Sequence, residues 1–256
     1  MLPRAKKSFG QNFLVDKTAV QKIIQAAEIK KGETVFEIGP GTGTLTQALV
    51  DTGARVIAIE TDKDLIAPLQ KRFGNRIELI HGDTLSDLSV LSDLSDLSFK
   101  LVANIPYNIT SPILERFLTT SPRPSRMILM VQKEVADRIT AKPPKMSLLS
   151  IVCQIYAKCK RIAIVKAGAF RPIPKVDSAI IRLDLYKQSH PGLHDVDPET
   201  IIALAKRGFS SKRKQLKTNL GFDFEEKLKQ LGLDPKIRAE GLTVENWINL
   251  SLILSW

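Results

Sequence analysis

Asn104-Ile105-Pro106-Tyr107 is the run whose residue types and order could do chemistry. The exocyclic amine of an aromatic base, adenine for instance, is a poor nucleophile because its lone pair is delocalised into the ring. To attack a methyl group it must pyramidalise. Two acceptors can favour that change: the side-chain oxygen of Asn104 and the main-chain carbonyl of Ile105. Pro106 fixes the turn that aims this carbonyl, because its ring locks φ. Tyr107 offers a flat face for the base to stack on, worth roughly 1–3 kcal/mol. Asn104 cannot take a proton at neutral pH, so the proton leaves after attack, once the nitrogen is cationic.

A second group lies upstream, where Val35-Phe36-Glu37-Ile38 leads into Gly39-Pro40-Gly41-Thr42-Gly43-Thr44. Glycine permits positive φ and close approach of the backbone to a ligand. The amides that open the following helix face the same space. The turn is expected to floor a pocket at the carboxyl end of a parallel strand. As a dinucleotide fingerprint it is incomplete, because Thr44 stands where the third glycine would fall. Glu60 closes the next apolar run, at the distance where an acidic residue grips ribose hydroxyls. A nicotinamide cofactor and S-adenosylmethionine both carry that ribose, and Gly39, Gly41 and Glu60 do not separate them.

The elements that position these groups follow from periodicity. Asp16 is placed to cap a helix over Lys17–Ala27. Strands are expected before Gly39, over Arg55–Glu60, over Ile77–Ile80 ahead of Asp83, over Phe99–Ala103 and over Met127–Val131. Helices fall between them, ending near Gly53, Gly74 and Leu118, and another runs from Lys133 to Thr140. Strands alternating with helices imply an α/β fold with a mostly parallel central sheet and helices on both faces. A helix over Leu148–Tyr156 and strands over Arg161–Val165 and Ala179–Leu185 complete a domain expected to span residues 1–187. Residues 187–198 have linker composition, and residues 188–256 should form a small, basic, all-helical domain. The Ser-Asp-Leu-Ser repeat over residues 85–98 is low in complexity, an exposed short helix or loop with no chemistry assigned.

Lys and Arg outnumber Asp and Glu by 38 to 27, a formal net charge of +11. That excess points to an anionic partner, nucleic acid above all. Lys206, Arg207, Lys212, Arg213, Lys214 and Lys217 concentrate the charge and are the expected nucleic-acid contacts. The N-terminal arm adds Arg4, Lys6 and Lys7 for holding phosphates. No run is long and apolar enough to span a bilayer, and the N-terminus lacks the apolar core of a secretory signal. No membrane partner and a cytoplasmic location are expected. Cys153 and Cys159 suit packing, and no metal spacing surrounds them. His81, His190 and His194 are expected to be solvated or structural, and no metal cofactor is assigned.

Gln11-Asn12-Phe13-Leu14, Glu37-Ile38-Gly39-Pro40-Gly41-Thr42-Gly43, Asn104-Ile105-Pro106-Tyr107-Asn108 and Pro174-Lys175-Val176-Asp177-Ser178-Ala179 resemble, in order and spacing, the KsgA-type rRNA adenine dimethyltransferases. Arg207-Gly208-Phe209-Ser210-Ser211-Lys212-Arg213-Lys214 resembles the family's basic C-terminal helical motif, so the resemblance covers nearly the whole chain. It implies a Rossmann-like class I methyltransferase domain with S-adenosyl-L-methionine as methyl donor. It also implies dimethylation of two adjacent adenosines in the 3′-terminal hairpin loop of small-subunit rRNA, so that the nucleic acid met by Lys206, Arg207, Lys212, Arg213, Lys214 and Lys217 is RNA. A monomer is expected, and the substrate is that rRNA either naked or, the preferred reading, within an assembling ribosomal particle. On this resemblance Asn12 and Leu14 close over the cofactor, Gly39 lies against its methionine part and Glu60 holds the ribose diol. Asp83 accepts from the cofactor's adenine amino group, and Asn104 touches both cofactor and target. Phe170 covers the target base on the side opposite Tyr107. Ile105 departs from the family's more frequent leucine, and the Ser-Asp-Leu-Ser stretch reads as an insertion.

Competing readings are a large-subunit rRNA adenine methyltransferase of the macrolide-resistance type and a non-catalytic nucleic-acid-binding relative. A nicotinamide oxidoreductase explains neither Asn104-Ile105-Pro106-Tyr107 nor the charge. Asp177-Ser178-Ala179 and the basic C-terminal segment argue, by resemblance, against the first. The intact Asn104, Tyr107 and Glu60 argue against the second.

Overall fold

Near-continuous apolar runs build the centre of the molecule. A computed structural model describes residues 3–86, 94, 97–187, 190–193, 196–221 and 224–253. Most of the Ser-Asp-Leu-Ser repeat, at 87–93 and 95–96, lies outside the described residues, as does His194. The first elements are β1 (Phe13–Leu14), α1 (Lys17–Ala27), β2 (Thr34–Ile38), α2 (Thr44–Asp51), β3 (Arg55–Glu60), α3 (Lys63–Phe73) and β4 (Ile77–His81). Then come β5 (Phe99–Asn104), α4 (Thr110–Thr119), β6 (Arg126–Gln132), α5 (Lys133–Ile139), α6 (Leu148–Tyr156), β7 (Ala157–Val165), β8 (Phe170–Arg171) and β9 (Ser178–Leu185).

The main sheet has the strand order β4-β3-β2-β5-β6-β9-β7. The pairs from β4 through to β6 are parallel, whereas β6 and β9 are antiparallel. Every residue of β2 is buried, and β3 is buried after Arg55. Strands buried on both faces need such unbroken apolar runs rather than alternation. The chain winds outward from β2 through β3 to β4, then returns to the other side of β2 to lay down β5 and β6. The carboxyl ends of β2 and β5 therefore flank a topological switch point, where open α/β sheets bind ligands.

Local signals set the helix ends. Asp16 caps α1 by accepting from Ala19 N at 2.9 Å. Asp62 caps α3, and Gly74 follows its last turn at positive φ. β7 starts earlier than its apolar pattern suggests, because exposed Lys158 and Lys160 interrupt that pattern on the last strand of the sheet. Lysines on an edge strand discourage pairing with other chains. Periodicity gives no sign of the two-residue strands β1 and β8, which pair with each other as Phe13↔Arg171 and Leu14↔Phe170.

The chain divides into two compact units: residues 1–136 with 160–185, and residues 137–159 with 186–256. The second unit contains α6 together with α7 (Pro198–Gly208), α8 (Leu216–Leu220), α9 (Phe224–Gln230) and α10 (Val244–Leu252). Its composition thus differs from a single cut at residue 187, because a helix set between strands reads as part of the α/β alternation. Trp247 is fully buried there, and Phe209 stacks on it at 5.9 Å. Gly208 passes so close that a Cβ would lie 2.3 Å from the indole.

Candidate active site

The residues expected to do chemistry meet around a cavity of about 270 Å³ in the first unit, at the switch point. That is close to the lower end of small-molecule sites, roughly 300–1,000 Å³. Asn12, Leu14, Gly39, Gly41, Glu60, Asp83, Asn104, Ile105, Pro106 and Tyr107 all border it.

Gly39 leaves β2 at φ +66°, and its N–H donates to Ile59 O at 2.9 Å. A Cβ built on Gly39 would meet nothing within 4 Å, so the backbone faces open space. Gly43 serves a different purpose. At φ +75°, its missing Cβ would lie 2.5 Å from the Phe73 ring, so the loop packs directly on α3. Glu60 ends β3 only 6% exposed. Its Oε2 accepts from Gly41 N at 3.0 Å and its Oε1 from Asp62 N at 2.9 Å. A carboxylate oxygen can accept twice, so each retains capacity for a hydroxyl. Burial raises the Glu60 carboxyl above its ordinary value, and the Asp62 and Gly41 amides act in the opposite direction.

Glu37, the residue before Ile38 in β2, has no role assigned from sequence. It borders the cavity, is 1% exposed, and neither carboxylate oxygen has a hydrogen-bond partner. Burial pushes its carboxyl up to about 8; Thr46 lies near enough to offset a little of this, and the Glu60 charge adds to the rise. The available signal is an acid inside an otherwise apolar strand. With no cation beside it, Glu37 is therefore a neutral acid below about pH 8, and a cationic ligand in the cavity would favour its ionised form.

Asn104 ends β5 half-buried, and its Nδ2 donates to Asn12 O at 3.1 Å. This bond assigns the carboxamide's orientation and leaves Oδ1 as the acceptor. Ile105 N donates to Met130 O at 3.3 Å, holding the motif to β6. Pro106 sits at φ −54°, and its carbonyl accepts from Ile109 N at 3.2 Å, closing the turn. The Tyr107 hydroxyl lies 2.8 Å from Ser178 Oγ at the start of β9, which fixes the ring's direction. Asp83 is exposed, with Oδ1 accepting from Leu85 N at 3.0 Å.

Phe170 is the exception among the expected site residues. It does not border the cavity; it is 1% exposed and packs in the core with Phe13 and Leu14. The pairing of β8 with β1 turns it inward and Arg171 outward. Covering a target base opposite Tyr107 is therefore not a role it fills in this structure. Lys6 likewise differs from a phosphate-holding arm lysine, since its ammonium pairs with Asp62 and Asp64.

In the second unit Lys206 and Arg207 are exposed on α7, and Arg207 also donates to Leu220 O at 3.1 Å. Lys212, Arg213 and Lys214 are exposed but lie in the turn between α7 and α8 rather than in a helix. Asn219 Nδ2 holds that turn by donating to Gly208 O and Ser211 O. Lys217 is partly neutralised by Glu225 at 2.7 Å. Among the described residues, no group of three or more His, Cys, Asp or Glu side chains is placed to hold a metal ion.

The sequence model of the ribosomal RNA adenine dimethylase family matches residues 3–255. A protein named ribosomal RNA small subunit methyltransferase A from Rippkaea orientalis is 40% identical, over 99% of this chain and 98% of its own. A protein of the same name from Thermosynechococcus vestitus is 41% identical, over 98% of this chain and 97% of its own. Among solved structures, a dimethyladenosine transferase from Plasmodium falciparum aligns over 94% of this chain and 96% of its own, with a TM-score of 0.79 and 27% identity. The 23S rRNA methyltransferase ErmE aligns over 96% of this chain and 100% of its own, with a TM-score of 0.78 and 26% identity.

Proposed function

The chain belongs to the ribosomal RNA adenine dimethylase family, and from that membership we propose how its cavity methylates RNA. It is a class I methyltransferase that uses S-adenosyl-L-methionine to dimethylate adenine amino groups of small-subunit rRNA. The backbone alone does not choose between ribosomal subunits, because ErmE superposes nearly as well as the dimethyladenosine transferase. Relatives near 40% identity carry the small-subunit name, which favours that substrate over the large-subunit alternative.

The observation that carries the site is the bond from Asn104 Nδ2 to Asn12 O. It commits the amide hydrogens to the chain itself and leaves Oδ1 to accept from an incoming amine. The cavity fits the methyl donor on three features already described. Open space lies over Gly39, Glu37 presents an unpartnered acid whose ionised form a cationic donor would favour, and Glu60 keeps acceptor capacity for a ribose diol. When bound there, S-adenosylmethionine supplies an electrophilic methyl group carried on a sulfonium. Asn12, Leu14, Gly39, Gly41, Glu60 and Asp83 would hold it.

The target adenine must leave its stack, at a cost of a few kcal/mol that is least in a loop. Tyr107, its ring fixed through Ser178, gives the base a surface. Asn104 Oδ1 and the Ile105 carbonyl accept from the amino group and favour its pyramidal form, while Pro106 keeps the turn rigid. Alignment of two reactants in this way can supply on the order of 7–11 kcal/mol. No protein base is invoked; the amine's proton leaves to solvent after methylation. Exposed Lys206, Arg207, Lys212, Arg213 and Lys214 hold phosphates, with Lys217 contributing less because of Glu225.

The finer reading is that a cytoplasmic monomer modifies two adjacent adenosines in the 3′-terminal hairpin loop, within an assembling particle, as a step in ribosome biogenesis. Among the described residues no helix is long and apolar enough to cross a membrane. The test supplies labelled methyl groups to isolated small- and large-subunit rRNA and to small-subunit particles, followed by nucleotide mapping. Label on neighbouring small-subunit adenosines, strongest with particles, is expected. Label confined to large-subunit rRNA would overturn the reading.

A further inference from the structure

The N-terminal arm, from residue 3 to Leu14, is fastened at both ends. Lys6 Nζ lies 2.5 Å from Asp62 Oδ1 and 2.5 Å from Asp64 Oδ2. Gln11 Nε2 donates to Asp62 Oδ2 at 2.8 Å, and Lys6 N donates to Gln11 Oε1 at 2.7 Å, so the two arm residues brace each other. Asp62 is only 2% exposed. Capping α3 needs one acceptor bond, which Asp62 Oδ1 makes to Asp64 N at 3.1 Å. The arm takes the rest of its acceptor capacity, Lys6 sharing Oδ1 and Gln11 holding Oδ2. The same residue's N–H donates to Glu60 Oε1, so the fastening sits beside the carboxylate assigned to ribose. At the arm's far end Asn12 O accepts from Asn104 Nδ2, and Phe13–Leu14 pairs with Phe170–Arg171.

We infer that Lys6, Gln11 and Asp62 form a latch that positions Asn104 and closes the cavity. With the latch shut, Asn12 O lies where it fixes the Asn104 carboxamide with Oδ1 free. With the latch open, that partner is withdrawn, the carboxamide turns freely, and the cavity loses the wall made by the arm. Lys6, Gln11 and Asp62 are positioning residues, since they act through Asn12 on Asn104. A charged carboxylate suits this work: Lys6 and Gln11 hold Asp62 below the usual aspartate range against the opposing effect of burial. The kinetic part of this inference rests on the methyltransferase reading of the cavity; the mechanical part does not.

The test uses the full chain and two variants. Gln11→Glu keeps an acceptor for Lys6 N but sets a carboxylate against Asp62 Oδ2. Losing a hydrogen bond to a charged partner is worth roughly tenfold or more. Trypsin should therefore cut within the arm, after Arg4, Lys6 or Lys7, roughly tenfold faster, with the melting temperature of the whole protein little changed. Turnover on small-subunit particles should fall by a similar factor, and S-adenosylmethionine should dissociate faster. Adding Asp62→Asn exchanges donor and acceptor, because the new carboxamide at position 62 can donate to the new carboxylate at position 11 while still capping α3. The double variant should recover both slow cleavage and turnover. Wild-type cleavage and turnover in Gln11→Glu, or a double variant no better than the single one, would overturn the latch. If the wild-type protein itself neither binds S-adenosylmethionine nor methylates rRNA, the functional reading fails, and the cleavage series still decides the latch.

Discussion

Asn104→Ala removes one acceptor from the amine and the arm's donor together. Losing a single preorganised polar contact to a reacting group typically lowers kcat by about 10²–10³. A drop of that size is expected in single-turnover methyl transfer, with RNA affinity in a filter-binding assay unchanged. Glu37 makes a different prediction. Its folded carboxyl titrates near 8, above the ordinary 4.5. A raised carboxyl contributes its stability fully below the unfolded value, and loses it as pH rises through the folded one. The donor-free protein should therefore weaken between pH 4.5 and pH 8 through this group. Glu37→Gln should raise the melting temperature more at about pH 8 than at about pH 5; an equal rise at both would remove burial as the cause. The site residues differ in how readable they are. Glu60 and Asn104 announce themselves by closing apolar strands at useful distances from the glycine loop. Glu37 does not, because one acid in a five-residue strand looks like an irregularity. Lys6 looks free because Asp62 and Asp64 lie far along the chain, and only the fold brings them together.

At the scale of elements, the glycine loop is held by its packing on α3. Gly43→Ala would put a methyl group 2.5 Å from the Phe73 ring, at a φ of +75° that side chains adopt reluctantly. Overpacking costs roughly 1–3 kcal/mol, and the backbone conformation adds to that. Urea denaturation should show a loss of about 2 kcal/mol or more, with weaker donor binding. A neutral result would mean that Phe73 swings aside without penalty. Most elements are legible because parallel strands and amphipathic helices leave long, distinct patterns. The helix expected around Leu148–Tyr156 is found there as α6. β1 and β8 escape because two residues carry no period, yet their pairing turns Phe170 into the core. The Lys212–Lys214 turn passes for helix in the sequence because charge and a family likeness carry no cap signal.

For the whole molecule, the excess of positive charge sets how binding responds to salt. Each phosphate contact on a single strand changes the slope of log affinity against log salt by about 0.7. Replacing Lys212, Arg213 and Lys214 with alanine should therefore flatten the slope for a small-subunit hairpin RNA by about 2. An unaltered slope would place the turn away from the RNA. The sheet's parallel part is foreseeable from alternating strands and helices. The strand order is not, since which side of β2 receives β5 depends on how the faces are covered. Nor is the make-up of the helical unit, which the chain visits twice. Stopping translation at residue 187 would therefore not release a tidy fragment. Such a truncation keeps Ile151, Cys153 and Ile155, fully buried in the intact protein, but deletes α7 and α10, which α6 packs against. The product would present a sticky apolar helix and aggregate. Isolating the first unit calls instead for two excisions, of residues 137–159 and 186–256.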